Sequence, residues 1–284
     1  GACIQSCPKK CIEMNASPEG FLYPFVDEGK CISCGICSDR CPILVRKEQV
    51  RTQTIPFAAK QAYIVQDKNF PSLMRSTSGG AFAILARKIL SDGGVVFGAA
   101  FDDQLNVRHI AVEKEDDLKF LQGSKYVASH LGNSYTLVKN FLAGNRKVLF
   151  SGTACQVAGL KSFLGKDSDL LLTVDIVCHG TPSQKLFQKY IEWLGRKNGG
   201  AVEWFEFRAK RFAGWDLVAA YGIQGKNKVV NPYCDPYYAA FLRGDGVVHY
   251  RHDQLGIPLQ PDDGELPDGH VEPLLLTAEH QIVI

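Results

Sequence analysis

At 284 residues, with 45 % apolar and 22 % charged side chains, the chain has room for one large or two ordinary domains, which excludes wholesale disorder and collagen-like structure. No apolar run approaches the roughly 18 residues that a membrane span needs, so none is expected. Net charge is +2, but residues 245–284 carry eight acids against one arginine, which leaves the first 244 at +9; that balance suits anionic ligands and no nucleic acid.

Ten cysteines occur, and seven fall in the first 41 residues. Residues 31–42 read Cys-Ile-Ser-Cys-Gly-Ile-Cys-Ser-Asp-Arg-Cys-Pro. Three thiolates at this spacing can take three corners of a [4Fe-4S] cube, while the cysteine before proline is directed to a neighbouring cluster. Zinc sites use cysteine pairs without the third cysteine or the proline, and disulfides fit poorly in a chain with so tight a spacing. Cys3 and Cys7-Pro8 repeat the second half of the motif, so residues 1–45 read as a partial bacterial-type two-cluster ferredoxin domain. In that arrangement Cys7 completes the set Cys31, Cys34 and Cys37, and Cys3 with Cys41 belongs to a second cluster whose other ligands precede Gly1. The start at glycine and the presence of only two methionines are expected of a fragment. Cys11 is extra to the repeat, either a spare ligand or a small buried thiol. Between the copies, Met14 to Lys30 reads as a turn and an irregular edge, because of Pro18-Glu-Gly20 and Tyr23-Pro24.

A polar linker is expected over 46–60, followed by a second domain over 61–244. Ala62 to Gln66 is a short strand candidate. Ser76 to Gly80 then precedes a helix with Phe82, Leu85 and Ile89 on one face and Ser78 as its N-cap. Residues 94–101 and 106–113 pattern as a strand pair, and 131–143 as a helix. Lys147 to Phe150 is a strand running into the loop Ser151 to Gln156 and a helix marked by Val157, Leu160 and Leu164. A second strand, Leu170 to Val177, ends in Cys178-His179-Gly180, and Ser183 caps a further helix. This is a parallel βαβ unit, whose ligands bind beyond the carboxyl ends of the strands. Residues 202–208 and 217–230 supply further strands.

Three small-residue loops, 76–80, 151–156 and 179–183, open helices, where free amides suit phosphate; each alone is as readily a plain cap. Lys125 reads as a solvated lysine on pattern alone. Cys155 is either a nucleophile or metal ligand at a helix N-terminus or a small buried thiol. Cys178 and His179 form a candidate redox or proton-relay pair, although neighbours on a strand face opposite ways. Asp175, inside an apolar strand, must be paired or functional if buried. Arg208, Lys210 and Trp215 suit an anionic or aromatic ligand, or a salt-bridged surface strand.

Together, the ferredoxin repeat, Ser76-Thr-Ser-Gly-Gly-Ala81, Gly123-Ser-Lys-Tyr-Val127, Leu149-Phe-Ser-Gly-Thr-Ala-Cys-Gln-Val-Ala-Gly-Leu160, Asp175-Ile-Val-Cys-His-Gly-Thr-Pro-Ser183 and Phe207-Arg-Ala-Lys210 resemble the coenzyme F420 hydrogenase/dehydrogenase beta-subunit family, in order from Gly1 to about Gly244. The resemblance implies an α/β fold with α+β character: a ferredoxin-like two-cluster [4Fe-4S] module ahead of a mixed or parallel-sheet α/β flavin domain. It implies an FAD-dependent oxidoreductase that passes electrons between [4Fe-4S] clusters and FAD, and as hydride to a deazaflavin such as coenzyme F420 or another small-molecule hydride acceptor. A redox partner subunit or ferredoxin and a cytoplasmic setting follow from it. By the resemblance, Ser78, Gly79, Gly80, Ser124, Lys125, Tyr126, Ser151, Gly152, Thr153 and Gln156 line the flavin site, and Lys125, Cys155, Asp175, Cys178 and His179 are the catalytic candidates. Ala154 stands where the family has proline, and residues 245–284, without cysteine or lysine, depart from the family pattern as an atypical acidic tail, out of frame or disordered. The rival readings are a ferredoxin-type electron carrier without flavin, an accessory protein of polysaccharide biosynthesis, and a zinc-stabilised interaction protein.

Overall fold

The computed structural model describes residues 1–44, 63–178, 180–243 and 281–283; the expected linker at 46–60 and most of the acidic tail lie outside the described residues. The N-terminal module consists of helix α1 (Ala2–Ser6), strands β1 (Ile12–Ala16) and β2 (Leu22–Val26), and helix α2 (Ile36–Asp39). β1 and β2 form an antiparallel hairpin in which Ile12 faces Val26 and Met14 faces Pro24. The stretch read as an irregular edge is thus a regular strand. A two-stranded ribbon leaves one side of each strand unpaired, so proline's missing N–H costs no ladder bond there.

The larger part runs α3 (Phe70–Arg75), α4 (Ala81–Ser91), β3 (Val95–Phe101), β4 (Val107–Val112), α5 (Leu118–Leu121), α6 (Ser134–Ala143), β5 (Val148–Thr153), α7 (Ala154–Leu164), β6 (Leu171–Ile176), α8 (Gln184–Asn198), β7 (Val202–Glu206), α9 (Lys210–Ala213), β8 (Ala219–Ile223), β9 (Lys226–Val230) and α10 (Pro236–Arg243). From the tail, Gln281–Val283 forms β10. One mixed sheet has the order β10-β6-β5-β3-β4, parallel except for the antiparallel pair β3 and β4; a second, antiparallel sheet has the order β7-β8-β9.

The burial of the central strands explains their unbroken apolar runs. Along β3 and β5, Val95, Phe97, Val148 and Phe150 enter one core with Tyr135, Val138 and Leu160. The alternate residues Val96, Ala100 and Leu149 enter another with Ala83, Ala86 and Val174. A parallel strand covered on both faces needs apolar side chains at every position. A third core, rich in aromatic rings, joins α8 to the second sheet around Phe187, Tyr190, Phe205, Phe207 and Tyr237.

Three local expectations change. Residues 63–67 form no strand: the Asp67 amide donates to Gly79 O at 2.7 Å, which pins this segment on the 76–80 loop and away from the sheet. The N-cap of α4 is Gly80, at φ +85°, in place of Ser78. Residues 151–156 are not a loop, since β5 continues through Thr153 and α7 starts at Ala154; Gln156 Oε1 accepts the Thr153 amide at 3.0 Å and closes the junction without intervening residues.

Phe187 is fully buried and meets the rings of Phe101, Phe205, Phe207 and Tyr237. Phe187→Ala is expected to lower unfolding stability by about 3–5 kcal/mol in urea titration. Phe70→Ala, at a residue 67 % exposed, is expected to change it by less than about 0.5 kcal/mol.

Candidate functional site

Cys7, Cys11, Cys31, Cys34 and Cys37 line one cavity of about 230 Å³ in the N-terminal module. The chain reaches this geometry through tight left-handed turns: Lys10, Ser33 and Gly35 have φ of 51°, 53° and 76°. Cys7 ends α1, Cys37 rides on α2, and the Ser33 amide donates to Cys31 Sγ at 3.4 Å. The Cys11 amide, with those of Lys9 and Lys10, holds the Cys7 thiol below its usual range. The Cys11 thiol is pushed up to about 11, first by its hydrogen bond with Cys7 and then by burial. None of the ten cysteines forms a disulfide. Among the described residues no three ligating side chains converge on one metal ion. The thiols instead ring a space, and a cube asks for one thiolate at each iron. Cys3 and Cys41 do not line this cavity.

Cys3 and Cys41 belong to the segments that dock on the larger domain. Helix α1 packs on α7. Gln5 Oε1 accepts from the Thr136 amide at 3.0 Å. Arg40 Nη1 donates to Ser162 O at 2.8 Å, and Ser162 Oγ returns a bond to Arg40 O at 3.0 Å. The hairpin docks separately, through Ser183 Oγ to Glu19 O at 2.5 Å and Lys185 Nζ to Pro18 O at 2.7 Å.

In the larger domain, segment 123–129 brings the candidate segments together. Thr77 Oγ1 and Ser124 Oγ are 2.8 Å apart, the Ala128 amide donates to Pro182 O at 2.8 Å, and Gln156 Nε2 donates to Ser129 Oγ at 2.9 Å. Behind Ser129 lies a residue that the sequence reading missed. His109 Nε2 is 3.0 Å from Ser151 O and its Nδ1 is 3.0 Å from Ser129 Oγ. Because a carbonyl only accepts, the proton is on Nε2 and Nδ1 accepts from the serine. The ring stacks on Phe150 at 5.3 Å, and burial lowers its pKa to about 4. The available signal was phase: His109 falls on the buried side of β4, in step with Val107.

The remaining candidates have varied surroundings. Lys125 Nζ donates to Gln122 O at 2.9 Å and Gly123 O at 3.2 Å, and desolvation lowers its pKa to about 7, with Glu206 pulling the other way. Tyr126 stacks on Phe241 at 4.7 Å and packs into the aromatic core. Cys155 Sγ lies 3.1 Å from Thr153 Oγ1. Cys178 is exposed as a residue, yet the protein around its sulfur pushes the thiol up, partly offset by the Gly180 amide. Asp175 is buried on β6, opposite Gly152, and its charge acts on the Lys161 ammonium. His179 lies outside the described residues. Ser78 is exposed, and its carbonyl accepts from Lys210 Nζ at 2.7 Å. Lys210 is buried, with its ammonium 3.5 Å from the ring centre of Trp215, itself 56 % exposed. Arg208 Nη2 donates to Trp215 O at 3.3 Å, while its buried Nε has no partner among the described residues.

Residues 1–45 match the family model of the 4Fe-4S dicluster domain, and residues 145–235 match that of the C terminus of the coenzyme F420 hydrogenase/dehydrogenase beta subunit. The stretch 145–235 is thus similar to the C terminus of the F420 hydrogenase/dehydrogenase beta subunit. The chain thus joins a stretch similar to a 4Fe-4S dicluster domain to one similar to that beta subunit. No curated protein matches it. Among solved structures, a chain of the F420-reducing [NiFe] hydrogenase complex from Methanosarcina barkeri, in a xenon-derivatised form, is 17 % identical, with 62 % of this chain and 63 % of that chain covered and a TM-score of 0.42. The chain therefore spans less than two thirds of that protein's length. No described helix of the chain is long and apolar enough to cross a membrane.

The buried His109 ring refuses a proton that the unfolded chain accepts below its ordinary pKa of 6.5, so acid favours unfolding between 6.5 and about 4. This group is expected to remove about 3 kcal/mol of stability across that window. His109→Gln, compared with the parent by urea unfolding at several pH values, is expected to lose that part of the acid slope.

Proposed function

We propose that the protein is an iron–sulfur flavoprotein oxidoreductase, passing electrons between [4Fe-4S] clusters and FAD and on to, or from, a deazaflavin or another organic hydride acceptor. The observation that carries the reading is the group beside Ser78: the orphaned, buried Arg208 Nε, the Lys210 ammonium and the exposed Trp215 ring. An unpartnered buried guanidinium N–H is costly unless a ligand takes it. A cation pair beside an open indole suits an anionic, aromatic molecule such as a flavin dinucleotide. Thr77 and Ser124, whose hydroxyls meet at 2.8 Å, add neutral polar groups next to Ser78.

FAD, when bound, joins two-electron hydride chemistry to the one-electron chemistry of clusters. Arg208 and Lys210 would hold its anionic part, and the Trp215 ring would take an aromatic part. The His109–Ser129–Gln156 chain keeps the β5–α7 junction in place, and Lys125, with a pKa of about 7, can give or take a proton at its Nζ near neutral pH. Cys7, Cys31, Cys34 and Cys37 hold the complete cluster. Cys3 and Cys41, on the docking side, would supply ligands to a second cluster. The exposed apolar residues Val26 and Ile32, which line the cysteine cavity, suit a redox partner subunit or ferredoxin. A reducing, cytoplasmic compartment fits ten cysteines with no disulfide among them.

One observation favours an electron carrier without flavin. A Cβ on Gly79 would lie 1.9 Å from Val65 O, and one on Gly152 would lie 3.0 Å from Gln156 Oε1, so protein atoms fill the space at these glycines. Anaerobic reconstitution with iron, sulfide and FAD separates the two readings. The flavoprotein is expected to retain FAD in an amount equal to the chain through gel filtration, with flavin and cluster absorption together; cluster absorption without extractable FAD favours the carrier. Arg208→Gln is expected to weaken FAD binding about tenfold, the loss of one charge-assisted hydrogen bond worth roughly 1.5 kcal/mol.

A further inference from the structure

The cysteine cavity holds one thiol more than a cube with one complete ligand set requires. Cys11 is 4 % exposed, lines the cavity with Cys7, Cys31, Cys34 and Cys37, and has its Sγ 3.4 Å from Cys7 Sγ. Cys31 lies near enough to act on the same thiol. A cysteine that only fills space would turn its sulfur to apolar neighbours, whereas this one faces the sulfurs. The Pro8–Lys10 turn brings the two together: Lys10, at φ +51°, donates its amide to Cys7 O at 3.2 Å and reverses the chain between the two cysteines.

The separation decides what the pair can do. A metal–thiolate bond is roughly 2.3 Å long, so two sulfurs less than twice that distance apart can both reach one iron. We propose that Cys11 is a second ligand for the cluster corner assigned to Cys7, and that either thiolate completes the cluster bound by Cys31, Cys34 and Cys37. In the exchange, the Cys11 sulfur–iron bond forms as the Cys7 sulfur–iron bond breaks, and the proton leaving Cys11 ends on Cys7. No electron is gained or lost. The inference rests on the assignment of this cavity as a cluster site.

The test compares Cys7→Ala, Cys11→Ala, the double variant and Cys31→Ala after anaerobic reconstitution with iron and sulfide. Iron and labile sulfide per chain are measured, with electron paramagnetic resonance of the reduced protein. Both single variants are expected to keep the iron of the parent, while the double variant falls to the level of Cys31→Ala. Iron in Cys7→Ala as low as in the double variant overturns the exchange. Should Cys7→Ala fail to fold, the parent and Cys11→Ala still decide: overlapping signals in the parent that reduce to one in Cys11→Ala support two ligands, and identical spectra refute them. If Cys31→Ala itself retains the parent's iron, the cluster assignment fails, which is a different result from either.

Discussion

Segment 123–129 has no helix or strand of its own, so its polar groups must find partners outside it, and this requirement organises the larger domain. Its partners are the candidate segments themselves. The Ser124 hydroxyl meets Thr77, the Ala128 amide meets Pro182, the Ser129 hydroxyl meets Gln156 and His109, and Tyr126 O accepts from Tyr237 at 2.8 Å. Buried peptide groups left unpaired would cost more than the order these bonds impose. Helix starts widely separated in sequence therefore share one scaffold.

The N-terminal module answers to a different constraint. It has little apolar core, with Ala2, Cys11 and Ile12 its buried apolar residues. Its order comes instead from positive-φ turns and from bonds to the larger domain at Thr136, Ser162, Ser183 and Lys185. A module of this kind is stabilised by whatever occupies its cavity, because binding free energy adds directly to folding free energy. The two parts of the chain are thus joined for a structural reason.

Much of this was legible in the residues. The cysteine spacing marked the cavity thiols, because ligand geometry is written into short loops. Val95 to Phe101 and Val148 to Phe150 declared buried strands through unbroken apolar runs, and Ser183 is the N-cap expected of it. What could not be read depended on partners remote in sequence. Ser78 looks like a cap, but its carbonyl is drawn to Lys210, 132 residues away, and Gly80 takes the cap position. Lys125 patterns as a solvated lysine, yet it donates to carbonyls at the end of its own turn. His109 was invisible as a single histidine in a strand, since its meaning lies in Ser151 and Ser129. Val65 patterns as strand, but a glycine 14 residues on approaches its carbonyl too closely for the sheet to claim it.

The Ser183 side chain carries one further consequence. Its oxygen accepts the Leu186 amide at 3.2 Å and so starts α8, while its proton goes to Glu19 in the hairpin of the other module. One hydroxyl therefore acts as a rivet through two plates. Lifting the hairpin away would loosen the first turn of a helix that carries Phe187 into the aromatic core, and fraying that turn would free the hairpin. Strain applied to the hairpin thus has a direct route into the packing around Phe187, through this hydroxyl and the neighbouring Lys185–Pro18 bond.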